Sequence, residues 1–377
     1  MTRVRPLERS DLGAVASLYE RLLRSGSGTA PPGLADSFAR QQLDQPWYDE
    51  GVRSLVCEHD DGPLAGFLAV YSRRIVIDGR RAVAACSGPL LADPAVNVVA
   101  PGLLLTRAYL AGPQELSVTD GANDVMRRMW VRAGGVVAPL PSLGWTRVLE
   151  PFSFVAAIAA DRHRDRQTVR GARTARGLDR IALIAGRRWL GAPHASAASE
   201  PLTPRSMLDG LAKATAGFRL RPDYDEGYLR WLLAELATVE RRGVLAARLV
   251  RGEGGRVLGW YIAYFPRGGI AQVLQVAAQG DDVGAVLDEL FAQASAASVT
   301  AVSGRLEPHL VDAVSDRRCI IRRTSKVLVH AKDPEIARAV LAGESFLTRL
   351  DGEWWMAPHL DPFDRVPQGS TPLHVAG

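Results

Sequence analysis

Leu64-Ala65-Gly66-Phe67-Leu68-Ala69-Val70-Tyr71 and Val257-Leu258-Gly259-Trp260-Tyr261-Ile262-Ala263-Tyr264 share one pattern: an apolar run interrupted at its third place by glycine and closed by tyrosine. Each follows a turn of glycine and acidic residues, and apolar, β-branched and aromatic runs bounded by such turns read as strands. Two copies of one strand in a chain point to duplication. Outward from the first copy, residues 54–58 form a strand before the Asp60-Asp61-Gly62 turn, and 73–77 turns at Asp78-Gly79 into a strand over 82–89. Upstream, a short first strand leads to a helix over 12–23, where Leu12, Val15, Leu18, Tyr19 and Leu22 recur at helical spacing, and to a second over 35–43. Downstream, 102–110 is helical, 115–119 a strand and 123–132 helical. From the second copy, strand 271–277, helix 283–294, strand 300–303 and helix 309–316 repeat that order.

The chain has 377 residues, which suits two domains better than one core. With 47% hydrophobic and 23% charged residues it has the composition of a globular protein, and a net charge of +5 mildly favours anionic partners, whether phosphate-bearing cofactors such as CoA, nucleic acid or an acidic surface, without deciding among them. Cys57, Cys86 and Cys319 stand far apart and odd in number, indicating neither a disulfide framework nor a zinc site, so a reducing cytoplasm is the expected location. The seven histidines lack metal-ligand spacing, and no metal is expected. Arg3 and Arg5 stand where a signal peptide needs apolar residues, and the longest apolar runs fall well short of the roughly 20 residues that cross a bilayer. No Walker loop, G-x-S-x-G elbow or H-E-x-x-H helix is present, which disfavours NTPases, α/β-hydrolases and zinc proteases.

Two segments of the first half carry chemistry. Pro94-Ala95-Val96-Asn97-Val98-Val99-Ala100-Pro101-Gly102 is a small-residue turn between a strand and a helix, which aims free N–H groups and the positive end of the helix dipole at phosphates. Asn123-Asp124-Val125-Met126-Arg127-Arg128-Met129-Trp130-Val131-Arg132-Ala133-Gly134 follows the next strand, with Met126, Met129, Trp130 and Ala133 on one apolar face. The loop resembles the pyrophosphate loop of the GNAT acetyltransferases, with Asn97 in the Arg or Gln place and Ala100 and Gly102 in the small-residue places. The helix is similar to the one that in this family begins with Asn and ends in Gly-Phe. The resemblance covers about residues 1–150 directly and 205–355 through the repeat. It departs at Val98, at Pro101, which removes an N–H donor, at Gly135, and at Trp130, which stands where the family has a thiolate-protonating tyrosine. An indole N–H is no such acid, so Trp130 is expected to pack beside the thiol end.

The resemblance implies an α+β fold of two GNAT-like modules, each a mixed, mainly antiparallel twisted sheet flanked by helices. The expected divisions are an acyltransferase module over 1–150, an Arg-rich connector and linker over 151–204, a degenerate module over 205–355 and a loosely ordered tail over 356–377. It implies transfer of an acyl group, acetyl foremost, from acyl-CoA to a small-molecule amine. Ser87, Leu90, Asn97, Ala100, Gly102, Leu103 and Asn123 would contact the cosubstrate, with a backbone N–H between residues 87 and 91 on the thioester carbonyl. Asp120 would deprotonate the amine; a turn-forming Asp before Gly121 is its plainer reading. Cys86 reads as a buried thiol rather than a nucleophile. Trp354-Trp355 reads as a terminal strand on the second core. Asp281 and Asp282, at the second module's equivalent loop, would oppose phosphate. Arg162, Arg166, Arg170, Arg173 and Arg180 form a stripe read as a solvated helix face. Two rival functions stand beside this one: a non-catalytic ligand- or partner-binding protein, and a Fem-like aminoacyl-tRNA-dependent transferase, in which the stripe would meet RNA.

Overall fold

The computed structural model describes residues 2–23, 30–31, 33–59, 62–95, 100–162, 179 and 197–356. Its first half runs β1 (Thr2–Pro6), α1 (Leu12–Leu23), α2 (Leu34–Gln42), β2 (Leu55–His59), β3 (Gly66–Ile77), β4 (Arg80–Ala92), α3 (Pro101–Leu110), β5 (Leu116–Ala122), α4 (Asp124–Arg132), β6 (Val136–Ala138), β7 (Leu143–Val148) and α5 (Pro151–Arg162). The second half runs β8 (Ala198–Pro201), α6 (Pro204–Ala214), β9 (Leu220–Pro222), α7 (Glu226–Ala237), β10 (Val244–Arg251), β11 (Val257–Phe265), β12 (Ile270–Ala278), α8 (Asp282–Ala296), β13 (Ala301–Arg305), α9 (Val311–Asp316), β14 (Ile320–Arg323), β15 (Lys326–Ala331) and α10 (Pro334–Leu341). The strands expected over 64–71 and 73–77 are one continuous strand, β3. Residues 198–201, expected in a linker, pair as β8 with β10. Asn97, the arginine stripe and the tail beyond 356 lie outside the described residues, apart from the backbone of Arg162.

Two mixed sheets result. The first has the order β1-β2-β3-β4-β5-β15-β6, with β9 on β3; the second has β14-β7-β13-β12-β11-β10-β8. Each contains one parallel junction, β4 with β5 and β12 with β13, bridged by α3 and α8. This is the duplication that the two glycine-interrupted runs announce, and the glycines have one cause. A Cβ on Gly66 would fall 2.8 Å from the Leu91 carbonyl oxygen, and one on Gly259 would fall 2.1 Å from that of Ala277. At this point in each sheet the neighbouring backbone leaves no room for a side chain.

Sheet membership crosses the boundaries drawn at residues 150 and 205. β7, from the first half, pairs with β13 and β14 in the second sheet, while β15, from the second half, lies between β5 and β6 in the first. Each half therefore completes the sheet of the other. A hydrophobic cluster also spans both, joining Tyr19, Phe38 and Phe67 to Met207, Tyr228, Trp260 and Trp355. No helix among the described residues is long and apolar enough to cross a membrane.

Candidate active site

The parallel junction of the first sheet is short. Ala84, Ala85 and Cys86 pair with Leu116, Ser117 and Val118, and beyond this point both strands run on without pairing to each other. Tyr109 of α3 marks the end of the pairing: its buried hydroxyl donates to the Ala85 carbonyl at 2.7 Å and lies 3.3 Å from that of Val118. Immediately past it, β4 carries a bulge, since Leu68 faces Leu90 whereas Val70 faces Ser87. An inserted residue bends the strand and re-aims its backbone groups. The outcome is a V-shaped opening with Ser87, Gly88 and Leu90 on one lip and Thr119, Asp120 and Gly121 on the other.

The expected cosubstrate residues collect at the β4 lip and the start of α3. Ser87 is buried and Leu90 half-buried on β4. Ala100 turns the chain into α3 with φ of 51°, and the Leu103 N–H donates to its carbonyl at 2.9 Å. Gly102 packs against β4; a Cβ there would lie 3.4 Å from Leu90 Cδ2. This corner fits an anionic group at a helix N-terminus, although no basic side chain stands in the first turn. On α4, Asn123 caps the helix by accepting from the Met126 N–H at 2.9 Å and is exposed. Its visible task is the end of the helix. Trp130 is 1% exposed and packs on Tyr109, ring centroids 5.8 Å apart, within the core cluster of Leu105, Ala122 and Leu328.

Asp120 belongs to strand β5 and is 9% exposed, so the turn reading gives way to a buried carboxyl on the lip of the opening. Its nearest cation comes from the other sheet: Arg305 Nη1 of β13 lies 3.7 Å from Asp120 Oδ2. Arg305 Nη2 also lies 3.6 Å from Glu307, whose acidity burial weakens until its pKa reaches about 8. These groups line a cavity of about 50 Å3 between the modules, with Cys86, Thr119 and Asp351.

The segment over residues 345–356 straps the two sheets together. Its Leu350 N–H donates to Leu274 of β12 at 3.0 Å, and the Asp351 carbonyl accepts from Arg73 Nε of β3 at 2.9 Å. Trp354 lies between the guanidinium groups of Arg242 and Arg349, at 3.6 and 4.8 Å from its ring, and buried Trp355 donates to the Leu350 carbonyl at 2.8 Å. This is turn and loop, not the terminal strand expected for Trp354-Trp355. Glu353, which the sequence analysis passed over, enters the first module's opening. Cys86 is fully buried, and its thiol donates to Glu353 Oε2 at 3.0 Å; burial raises the thiol well above its ordinary pKa. The acid-Gly-acid triplet Asp351-Gly352-Glu353 was the available signal, but nothing in its spacing ties it to Asp120.

The second module's equivalent corner is different. Asp282, at the start of α8, is bound by Arg256 at 2.8 and 2.9 Å and by Lys213 at 3.2 Å, and these partners lower its pKa. Of the two carboxylates expected to oppose phosphate, Asp282 is thus paired with Arg256 and Lys213, while Asp281 lines the cleft. The adjoining cleft of about 690 Å3 keeps Asp281, Asp312 and Asp316 on its lining, with Arg317 held by Asp288 at 2.7 and 2.6 Å. Among the described residues no group of three potential ligands is placed to hold a metal ion.

No family model matches the chain, and no curated protein matches it. Solved structures do. A GCN5-related N-acetyltransferase from Anabaena variabilis aligns at a TM-score of 0.56 and 13% identity, over 89% of this chain and 74% of its own. One from Kribbella flavida aligns at 0.53 and 14%, over 88% and 72%. Eis1 from Mycobacterium abscessus aligns at 0.51 and 14%, over 90% and 76%. At such identities the likeness is one of fold, and the fold is that of the GCN5-related N-acetyltransferases, present here as two modules in tandem.

Proposed function

We propose that the protein transfers an acyl group, acetyl foremost, from acyl-CoA to the amine of a small molecule, at the opening between β4 and β5. The observation that carries this reading is the geometry of that opening. Two parallel strands part after Cys86 and Val118, a bulge re-aims the backbone of one, and a buried carboxyl stands on the other. Backbone N–H groups between residues 87 and 91 would polarise the thioester carbonyl, with Pro89 supplying none, and the N-terminus of α3 at Gly102 and Leu103 would face the cosubstrate phosphates. Asp120 would take the proton of the attacking amine. Trp130 and Asn123 shape and end the helix behind the site. The second module supplies structure and one wall of the site, its own corner being lined by acids.

One observation favours the non-catalytic reading: the opening already holds Glu353. Thermal shift with acetyl-CoA against charged tRNA, followed by thiol release from acetyl-CoA with a panel of amines, tests the proposal. Stabilisation by acetyl-CoA and amine-dependent thiol release are expected. Stabilisation by charged tRNA alone, or no thiol release with any amine, would refute it.

A further inference from the structure

Glu353 is 5% exposed and enters the first module's opening from the strap. Its carboxyl accepts in every hydrogen bond it makes there. The Thr119 hydroxyl donates to Oε1 at 2.6 Å and the Gly121 N–H to Oε1 at 2.9 Å, the Asp120 N–H lies 3.0 Å from Oε1 and 2.9 Å from Oε2, and the Cys86 thiol donates to Oε2 at 3.0 Å. Consecutive N–H groups of a regular strand point to opposite sides, so one acceptor cannot take both. A bulge in β5 removes that limit. Thr119 faces Leu328 and Ala122 faces Lys326, so β5 takes three steps where β15 takes two, and the extra residue falls at Asp120–Gly121. Successive N–H groups turned to one side make an anion-binding concavity. The seat is therefore built into the sheet, and the side chain that occupies it comes from the strap.

The seat also lies where the two strands part. Cys86 and Val118 end the parallel pairing, and Glu353 joins the Cys86 side chain of β4 to the three residues of β5 that follow Val118. Past that point β4 offers these residues no ladder partner, and a buried N–H without an acceptor is costly. Glu353 supplies the acceptors. The chain behind it is anchored in turn, since Arg73 of β3 binds the Asp351 carbonyl and the Leu350 N–H donates to Leu274 of β12. We propose that Glu353 is a positioning residue of the first module's site: seated in the β5 bulge and tied to β4 through Cys86, it fixes the two lips of the opening, and Asp120 with them, at their working separation. This rests on the acyltransferase reading above. The strap then completes the frame of the site and leaves the acyl path along residues 87–91 to the cosubstrate. The first module's opening is unfinished without a residue from the far end of the chain.

Glu353→Ala in the full chain empties the seat, and formate is small enough to refill it. With acetyl-CoA and an accepted amine, kcat should fall on the order of 10²-fold, the scale of an ångström of misplacement. KM for acetyl-CoA should stay within a few-fold of the parent, because the corner at Gly102 and Leu103 is untouched. Added formate should return most of the lost rate in a saturable way and raise the Tm of this variant, while leaving the parent unchanged. Glu353→Gln keeps the seat filled but sets an amide N–H against donors, so it should lose rate and gain nothing from formate. A Glu353→Ala protein with the parent's kcat, or one that folds and gains neither rate nor Tm from formate, overturns the proposal. Equal rescue of Glu353→Gln also overturns it, since formate would then act elsewhere. If Glu353→Ala fails to fold, Cys86 decides: Cys86→Ala, which cuts the tie to β4, should lower kcat by a few-fold and Cys86→Ser should recover most of it, whereas an unchanged rate in Cys86→Ala overturns the proposal. A parent that acylates no amine defeats the acyltransferase reading itself, and the Tm response to formate, which needs no turnover, still tests the seat.

Discussion

Expressed alone, residues 1–150 will not form a cooperatively folded domain. β6 has β15 as its sheet neighbour among the described strands, and β5 pairs with β15 at five positions from Leu116 to Ala122. The fragment lacks β15, so it loses Val327, Leu328 and Val329, which are 6%, 0% and 0% exposed. At about 1.5–3 kcal/mol for each buried aliphatic side chain, their loss removes roughly 5–9 kcal/mol. That matches most of the roughly 5–15 kcal/mol that holds a domain together. The bare β5 edge would also invite association between copies. The full chain should unfold in one transition, with tryptophan fluorescence and far-UV circular dichroism coincident. The fragment should show no near-UV signal and no sigmoidal melt, and adding residues 197–377 in trans should restore both in part. A fragment that melts cooperatively at the midpoint of the full chain would refute the argument, because the exchanged strand would then contribute nothing essential.

Trp130→Ala should cost about 3–5 kcal/mol, the usual loss for a buried large aromatic, read by urea unfolding; a variant as stable as the parent but inactive would place the indole in the chemistry instead. Calorimetric titration with CoA should give at most one site per chain, lost in Gly102→Glu, which puts a carboxylate at the start of α3; two equal sites would contradict the reading of the second module. Glu307 has a folded pKa of about 8, raised by burial. Its contribution is therefore fully present below the unfolded value near 4.5 and is lost as pH rises towards 8, and Glu307→Gln should flatten the fall in stability across that window. A parent and variant with identical pH profiles of Tm would show that Glu307 is not buried as described.

What the sequence made legible was local. The glycine in each repeated run marks the place where the neighbouring antiparallel strand comes close, β4 beside β3 and β12 beside β11. The helix over 12–23 and the turn at Asp78-Gly79 follow from spacing and from turn chemistry in the same way. Neither the strand exchange nor the strap has such a signature. β7 and β15 are six-residue runs, each with three consecutive buried positions, and such a run says that a strand is covered on both faces, not which sheet supplies its neighbours. Asp282 reads as a free charge in the sequence because its partners, Arg256 and Lys213, lie 26 and 69 residues away along the chain. Glu353 lies 233 residues from Asp120, and nothing in its neighbours along the chain ties it to the first sheet.

The missing information has a physical form. Among the described residues a carboxyl in the first opening could come from β5 itself or from any segment led across the interface, and only packing decides between them. Here the decision is visible in small residues and long arms: Gly352 lets the strap lie on Asp120, Arg73 and Arg242 bind the carbonyls of Asp351 and Trp354, and Arg305 reaches from the second sheet towards Asp120. Replacing Gly352 by Ala tests that arrangement at its tightest contact. The new Cβ would overlap the Asp120 carboxyl, 2.1 Å from Oδ2 and 2.5 Å from Cγ, so either the strap lifts or the carboxyl turns into the adjoining cavity. Overpacking of this kind costs about 1–3 kcal/mol, and in a chain of this size each kcal/mol shifts Tm by no more than roughly 2–4 °C. If the strap lifts, fluorescence of Trp354 and Trp355 should redden in the native state, whereas a turned carboxyl leaves it unchanged and alters only acyl transfer. A variant identical to the parent in stability, fluorescence and activity would mean that the strap does not rest on Asp120.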